Sequence, residues 1–159
     1  MDSDAINVRA ARRISHPASG ISVMLPTSWE VFPDPTPDVA LIALEPVPGP
    51  DGFRANLVLT VGPLGGRSLG QWQATSEAAL AAALTQYRLI DLEQLDVAGH
   101  PGGRRLAHHV APAGAPVTLE QWFTIASDIG CTLTGTVSTA RYCVAALVFP
   151  ELARTLQIG

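Results

Sequence analysis

The chain has no lysine; all ten of its basic residues are Arg. A GC-rich genome is the plain source of such a bias. The absence still excludes chemistry: no internal aldimine for pyridoxal phosphate, no Schiff-base amine and no Walker-type phosphate lysine. Charge of either sign is scarce, at 15% of residues with a net charge of -4. That argues against nucleic acid as a partner, since phosphate-backbone binding draws on clustered positive charge. There are two cysteines, Cys131 and Cys143, too far apart for a metal knuckle or a redox pair. Both are expected as buried free thiols. No apolar run approaches the roughly 20 residues that cross a bilayer, so membrane insertion is not expected. The opening residues, Met-Asp-Ser-Asp-Ala-Ile-Asn-Val-Arg, carry no basic stretch followed by an apolar run. The chain as it stands therefore reads as cytoplasmic.

What is present is apolar. At 47% hydrophobic over 159 residues, the composition is that of a compact protein rather than a disordered one. A polar arm over residues 1–11 followed by one domain over 12–159 is the expected organisation. Strands are expected at 12–16, 21–25, 29–32, 39–45 and 53–61, from alternation of apolar and polar positions. The prolines of Pro33-Asp-Pro-Thr-Pro37 argue against regular structure there. Ser68 with Gln71 three residues on forms a capping-box signal. A helix over 69–87 follows, with Leu69, Trp72, Ser76, Leu80, Leu84 and Tyr87 on one stripe. The remainder reads as an antiparallel meander with strands at 89–97, 103–110, 117–127 and 131–139. Short Gly/Pro joints between them leave no room for parallel crossovers. A second helix is expected from about residue 140, interrupted at Pro150. The sum is an α+β fold, with two helices and a mostly antiparallel sheet.

Three segments carry a resemblance: Gly20-Ile-Ser-Val-Met-Leu-Pro-Thr-Ser-Trp29, then Phe53-Arg-Ala-Asn-Leu-Val-Leu-Thr-Val61, then a long helix with an early Trp. With the meander and the final Phe/Leu helix, the pattern resembles the PsbP/DcrB-like (Mog-like) superfamily over residues 12–158. Within it the chain is similar to the actinobacterial LpqN/LpqT-type proteins. The resemblance implies an α/β/α sandwich and no shared catalytic site. It implies action by binding another macromolecule, and it transfers no functional residue, because the matching positions are structural. The lipobox cysteine of the lipoprotein members is not present here.

Candidate chemistry is thin. His108 and His109 are adjacent in an expected strand and so face opposite ways, which does not suit a shared metal. No Gly-x-Ser-x-Gly turn follows a strand, and Ser19 sits in a turn context. The Gly62-Pro-Leu-Gly-Gly-Arg-Ser-Leu-Gly70 stretch matches neither dinucleotide nor Walker spacing. Neither a cofactor nor a metal is expected. Arg104 and Arg105 read first as solvated charge and second as a basic patch for an acidic protein partner. Trp122 shares a face with Thr118, Glu120 and Thr124; it reads either as core under the last helix or as an exposed contact residue.

The sequence thus suggests a non-catalytic protein-binding, adaptor or chaperone-like module. Its surface residues of first interest are Trp122, Arg104, Arg105 and His109. The alternatives are a carrier of a small apolar ligand between sheet and helix, and an enzyme whose site the sequence does not reveal. Exposed sheet edges also suit a homodimer.

Overall fold

The computed structural model describes residues 10–159. Most of the arm expected over 1–11 therefore lies outside the described residues. Ten strands and two helices follow in the order β1 (Ala11–His16), β2 (Ile21–Pro26), β3 (Glu30–Thr36), β4 (Val39–Leu44), β5 (Asn56–Pro63), α1 (Leu69–Ala83), β6 (Thr85–Val97), β7 (His100–Val110), β8 (Pro116–Ala126), β9 (Ile129–Ser138), α2 (Tyr142–Arg154) and β10 (Gln157–Ile158). A 3-10 turn at Thr139–Arg141 leads into α2. The fold is α+β, and every strand pairing is antiparallel.

Strands fall into two sheets. Seven form the order β3-β4-β5-β9-β8-β7-β6, and three form β1-β2-β10. One face of the large sheet carries Leu41, Ala43, Leu57, Leu59, Trp122, Leu133 and Val137. These pack against Ile21, Val23 and Leu25 of β2 and Ala145, Phe149 and Leu152 of α2 in one buried cluster. Each fully buried Leu, Ile, Val or Phe side chain among them contributes about 1.5–3 kcal/mol. α1 lies against the opposite face. The two helices touch opposite faces of β9 where that strand lacks a side chain. A Cβ on Gly135 would come within 2.5 Å of the Phe149 ring, and one on Gly130 within 2.5 Å of the Trp72 ring.

Several elements differ from the sequence expectation. β3 runs through Pro33 and Pro35 to Thr36. It is an edge strand with one neighbour, so a missing N–H costs little, and its register shifts between Pro33 and Thr36. α1 begins at its capping box as expected, with the Ser68 hydroxyl accepting from the Gln71 backbone N–H at 3.2 Å and the Gln71 side-chain Oε1 accepting from the Ser68 backbone N–H at 2.9 Å. It ends at Ala83 rather than near 87, because residues from Thr85 onward pair with β7 up to Val110. β7 begins at His100, so the joint is the two-residue turn Ala98-Gly99, both with positive φ, as a hairpin's right-handed twist requires. α2 continues through Pro150 to Arg154 despite the missing donor. β10, two residues long, leaves no periodic trace in sequence. Cys131 is buried, and burial pushes its pKa up to about 12; Cys143 is exposed, contrary to expectation.

Candidate binding groove between helix and sheet

A single row of side chains crosses all seven strands on the α1 face: Phe32, Ile42, Val58, Thr134, Gln121, Arg105 and Leu92. α1 lies over its β8–β7 portion. This helix has no buried residue; only one stripe, which includes Leu69, Trp72, Ser76 and Leu80, is half-buried. It is held by a few specific contacts. Trp72 meets Phe123 edge-on with centroids 6.2 Å apart. Arg105 Nε lies 2.8 Å from Glu77 Oε2. The same oxygen accepts from the Tyr87 hydroxyl at 2.9 Å. Burial and the Glu77 carboxylate hold the Tyr87 pKa far above its ordinary value.

Arg105 is only 1% exposed. Its Nη1 donates to Gln121 Oε1 at 2.5 Å, and its guanidinium carbon stands 5.2 Å over the Phe123 ring. Gln121 in turn donates to the Thr134 hydroxyl at 3.0 Å. This network lies under α1 and leaves space to either side. A cleft of about 380 Å³ opens between the start of α1 and β6–β7, walled by Leu69, Gln73, Leu92 and Phe123. A second of about 350 Å³ opens on the β5–β9 side. Its floor is Thr60, Thr132 and Thr134, and its wall is Ala79, Leu80, Ala83 and Leu84. The groove thus offers hydroxyl groups below and aliphatic surface beside them.

The four residues of first interest do not share a surface. Trp122 and Arg104 lie on the α2 face; Arg105 and His109 lie on the α1 face. Neighbours along a strand point opposite ways, so Arg104 and Arg105 form no common basic patch. Trp122 is 6% exposed and belongs to the main core. The polar residues beside it in sequence are themselves buried. Arg104 sits in an acidic setting, its Nε 2.5 Å from Glu120 Oε2, with Asp91 at 3.3 Å and Glu93 at 3.4 Å from Nη1. Glu120 is 1% exposed, and its Oε1 has no hydrogen-bond partner among the described residues. Burial raises its pKa, with Arg104 opposing. His109 is held below its ordinary pKa by burial, which outweighs a backbone hydrogen bond at Val110. A cleft of about 360 Å³ beside α2 brings Trp122 and Arg104 together with Pro150 and Arg154.

Two hydroxyl–imidazole pairs exist among the described residues. Thr118 Oγ1 lies 2.8 Å from His108 Nδ1, but Thr118 is fully buried. Ser19 Oγ lies 2.7 Å from His16 Nδ1, whose Nε2 lies 2.7 Å from Asp34 Oδ1. This second chain spans the three residue types of a hydrolytic triad. The Ser19 oxygen, however, sits in the β1–β2 turn and accepts from the Ile21 N–H at 3.3 Å. None of the three clefts above is lined by these residues. Among the described residues no three His, Cys, Asp or Glu side chains are grouped as a metal ion would need. No helix among them is long and apolar enough to cross a membrane.

Sequence reasoning missed Glu77, Gln121 and Phe123 as groove-forming residues. The signal for the floor was present, in the alternation of Thr132, Thr134 and Thr136 against Leu133 and Val137. It also missed a buried ion pair remote from the groove. Arg141 Nη1 and Nη2 lie 2.6 and 3.0 Å from the two carboxylate oxygens of Glu45.

Solved structures align with this arrangement over nearly its whole length. CyanoP, the cyanobacterial PsbP of Synechocystis, superposes with a TM-score of 0.69 at 13% identity, covering 97% of this chain and 95% of its own. The chain has a PsbP-like fold. LpqN of Mycobacterium tuberculosis, involved in cell envelope biogenesis, gives 0.73 at 11% identity, covering 94% and 90%. PA94 of Pseudomonas aeruginosa, a protein of unknown function, gives 0.64 at 15% identity, covering 91% and 94%. No family model matches the chain, and no curated protein sequence does. At these identities the PsbP-like likeness, LpqN included, concerns the fold.

Proposed function

We propose that this chain is a non-catalytic binding module that seats a segment of a protein partner in the groove between α1 and the sheet. The observation that carries this is a fifteen-residue helix with no buried residue, flanked by open clefts on both sides. A helix serving only to cover a core would bury its apolar stripe. The threonine floor and the Leu80/Leu84 wall suit an extended segment alternating small polar and aliphatic residues. Arg105, the one cation on the floor, is already engaged by Glu77 and Gln121 and supports the helix rather than the ligand.

A second reading, carriage of a small apolar ligand, has its own support. The 350 Å³ cleft falls within the roughly 300–1,000 Å³ of small-molecule pockets. One experiment separates the two. A photo-crosslinking amino acid replaces Ala79 on the groove wall, or Leu147, which is 77% exposed on α2, as control. After irradiation in cells, a discrete protein-sized adduct from position 79 and none from 147 supports partner binding. An adduct of small mass at 79 supports the carrier. Equal or absent labelling at both positions removes the groove from consideration.

A further inference from the structure

The two edges of the large sheet are unlike. β3 carries Pro33 and Pro35 and a register shift, the usual protection against pairing with another chain. β6 is the other edge; it has thirteen residues and no proline, and is exposed along most of its length. Leu89, Ile90 and Leu92 are 42%, 51% and 41% exposed, half of the large apolar side chains so exposed among the described residues.

The stretch Arg88-Leu89-Ile90-Asp91-Leu92-Glu93 is self-complementary. Laid antiparallel on a copy of itself about its midpoint, it sets Arg88 opposite Glu93 and Leu89 opposite Leu92, twice each. In a regular strand this would fail. Residues five apart point to opposite faces, so Arg88 could not meet Glu93 across a two-fold axis normal to the sheet. The bulge between Leu89 and Asp91 removes the conflict. Arg88 pairs with His108 and Glu93 with Arg104, two positions on one face of β7. Leu89 pairs with Ala107 and Leu92 with Arg105, both on the other face. The extra residue brings each complementary pair onto a common side.

We propose that two copies of this chain pair through β6, antiparallel, about a two-fold axis at Asp91, where the two Asp91 carboxylates face each other and each lies 3.3 Å from its own Arg104. The Arg88–Glu93 pairs then lie on the α2 face and the Leu89–Leu92 pairs on the α1 face. Opposite charges and aliphatic pairs directly across an antiparallel pair are the stabilising units of a sheet. The axis is isologous and closes, so the assembly stops at two. Both α1 helices lie on the same side, and the clefts walled by Leu92 adjoin across the axis. This inference is independent of what the groove binds.

The test is sedimentation velocity of the purified chain across the micromolar range, with charge exchange. The wild type should approach twice the 16.7 kDa protomer mass as concentration rises. Arg88→Glu and Glu93→Arg singly should each remain at protomer mass, because each places like charges opposite one another twice. The double variant R88E/E93R restores opposition and should recover the dimer. Circular dichroism of each variant confirms that the fold persists, and both positions changed are on the exposed strand. A wild type that stays at protomer mass throughout overturns the proposal. So does a dimer indifferent to either single exchange, or one that the double exchange fails to restore.

Discussion

Glu77→Ala isolates what holds α1 to the sheet. Arg105 is 1% exposed and has Glu77 as its counter-charge, while the Glu77 side chain is 26% exposed. Removing one partner of a fully buried pair costs about 3–5 kcal/mol, because a desolvated charge is left behind. Two features reduce that here. Gln121 continues to accept from Arg105 at 2.5 Å, and the clefts beside α1 let water reach the guanidinium. We expect a loss of about 2 kcal/mol. It should fall on the docking of α1 rather than on the whole molecule, since the helix buries no residue in the core cluster. Native-state amide hydrogen exchange reads this directly, because it resolves local opening from global unfolding. Amides near the middle of α1 should exchange roughly thirtyfold faster, at tenfold per 1.4 kcal/mol, with β5 and β9 unchanged. Glu77→Gln, which keeps an acceptor for Arg105 and Tyr87, should do less. If α1 protection is unaltered, or if every strand loses protection equally, the helix is not latched as described.

Two further outcomes follow from buried charge. Glu45→Ala leaves Arg141, 4% exposed, without the carboxylate that engages it at 2.6 and 3.0 Å, and frees the Ala55 N–H that donates to the same carboxylate at 2.7 Å. A drop of about 3–5 kcal/mol in denaturant unfolding is expected, against little change for the exposed Glu30→Ala. Glu120 behaves oppositely. Its folded pKa is raised, so the folded state holds a proton that the unfolded state releases, and stability falls as pH rises from the ordinary Glu range through the raised value. Glu120→Gln should lose that decline, and melting temperatures at a series of pH values from roughly 4 upward would display it. Parallel pH profiles for the two proteins would refute it.

Much of the fold was legible because local chemistry and tertiary structure agree. Alternation marked β2, β5 and β9, and Ser68 with Gln71 marked the start of α1. Pairing decided the rest. The helical stripe runs on to Tyr87, yet β7 claims the chain from Thr85 onward for β6. Pro33 and Pro35 look like breakers but occupy an edge where no donor is needed. The site was harder to read. A strand shows which residues alternate, but not which face meets the core. Trp122 lies among Thr118, Glu120 and Thr124, so its face looked wet. That face is in fact closed by α2 and β2, and the polar side chains pair with one another beneath them. The adjacent arginines followed suit: one strand position separates a partly buried Arg104 from a fully enclosed Arg105.

Gly130 and Gly135 lie five positions apart on β9, beneath Trp72 on one side and Phe149 on the other. The upper and lower coverings of the sheet can therefore be adjusted separately. A methyl group added at 130 would lift α1 and alter what the groove admits while Phe149 stays seated. The same group at 135 would press on the apolar interior and leave the groove's dimensions alone. A single strand thus gives mutation independent access to selectivity and to robustness.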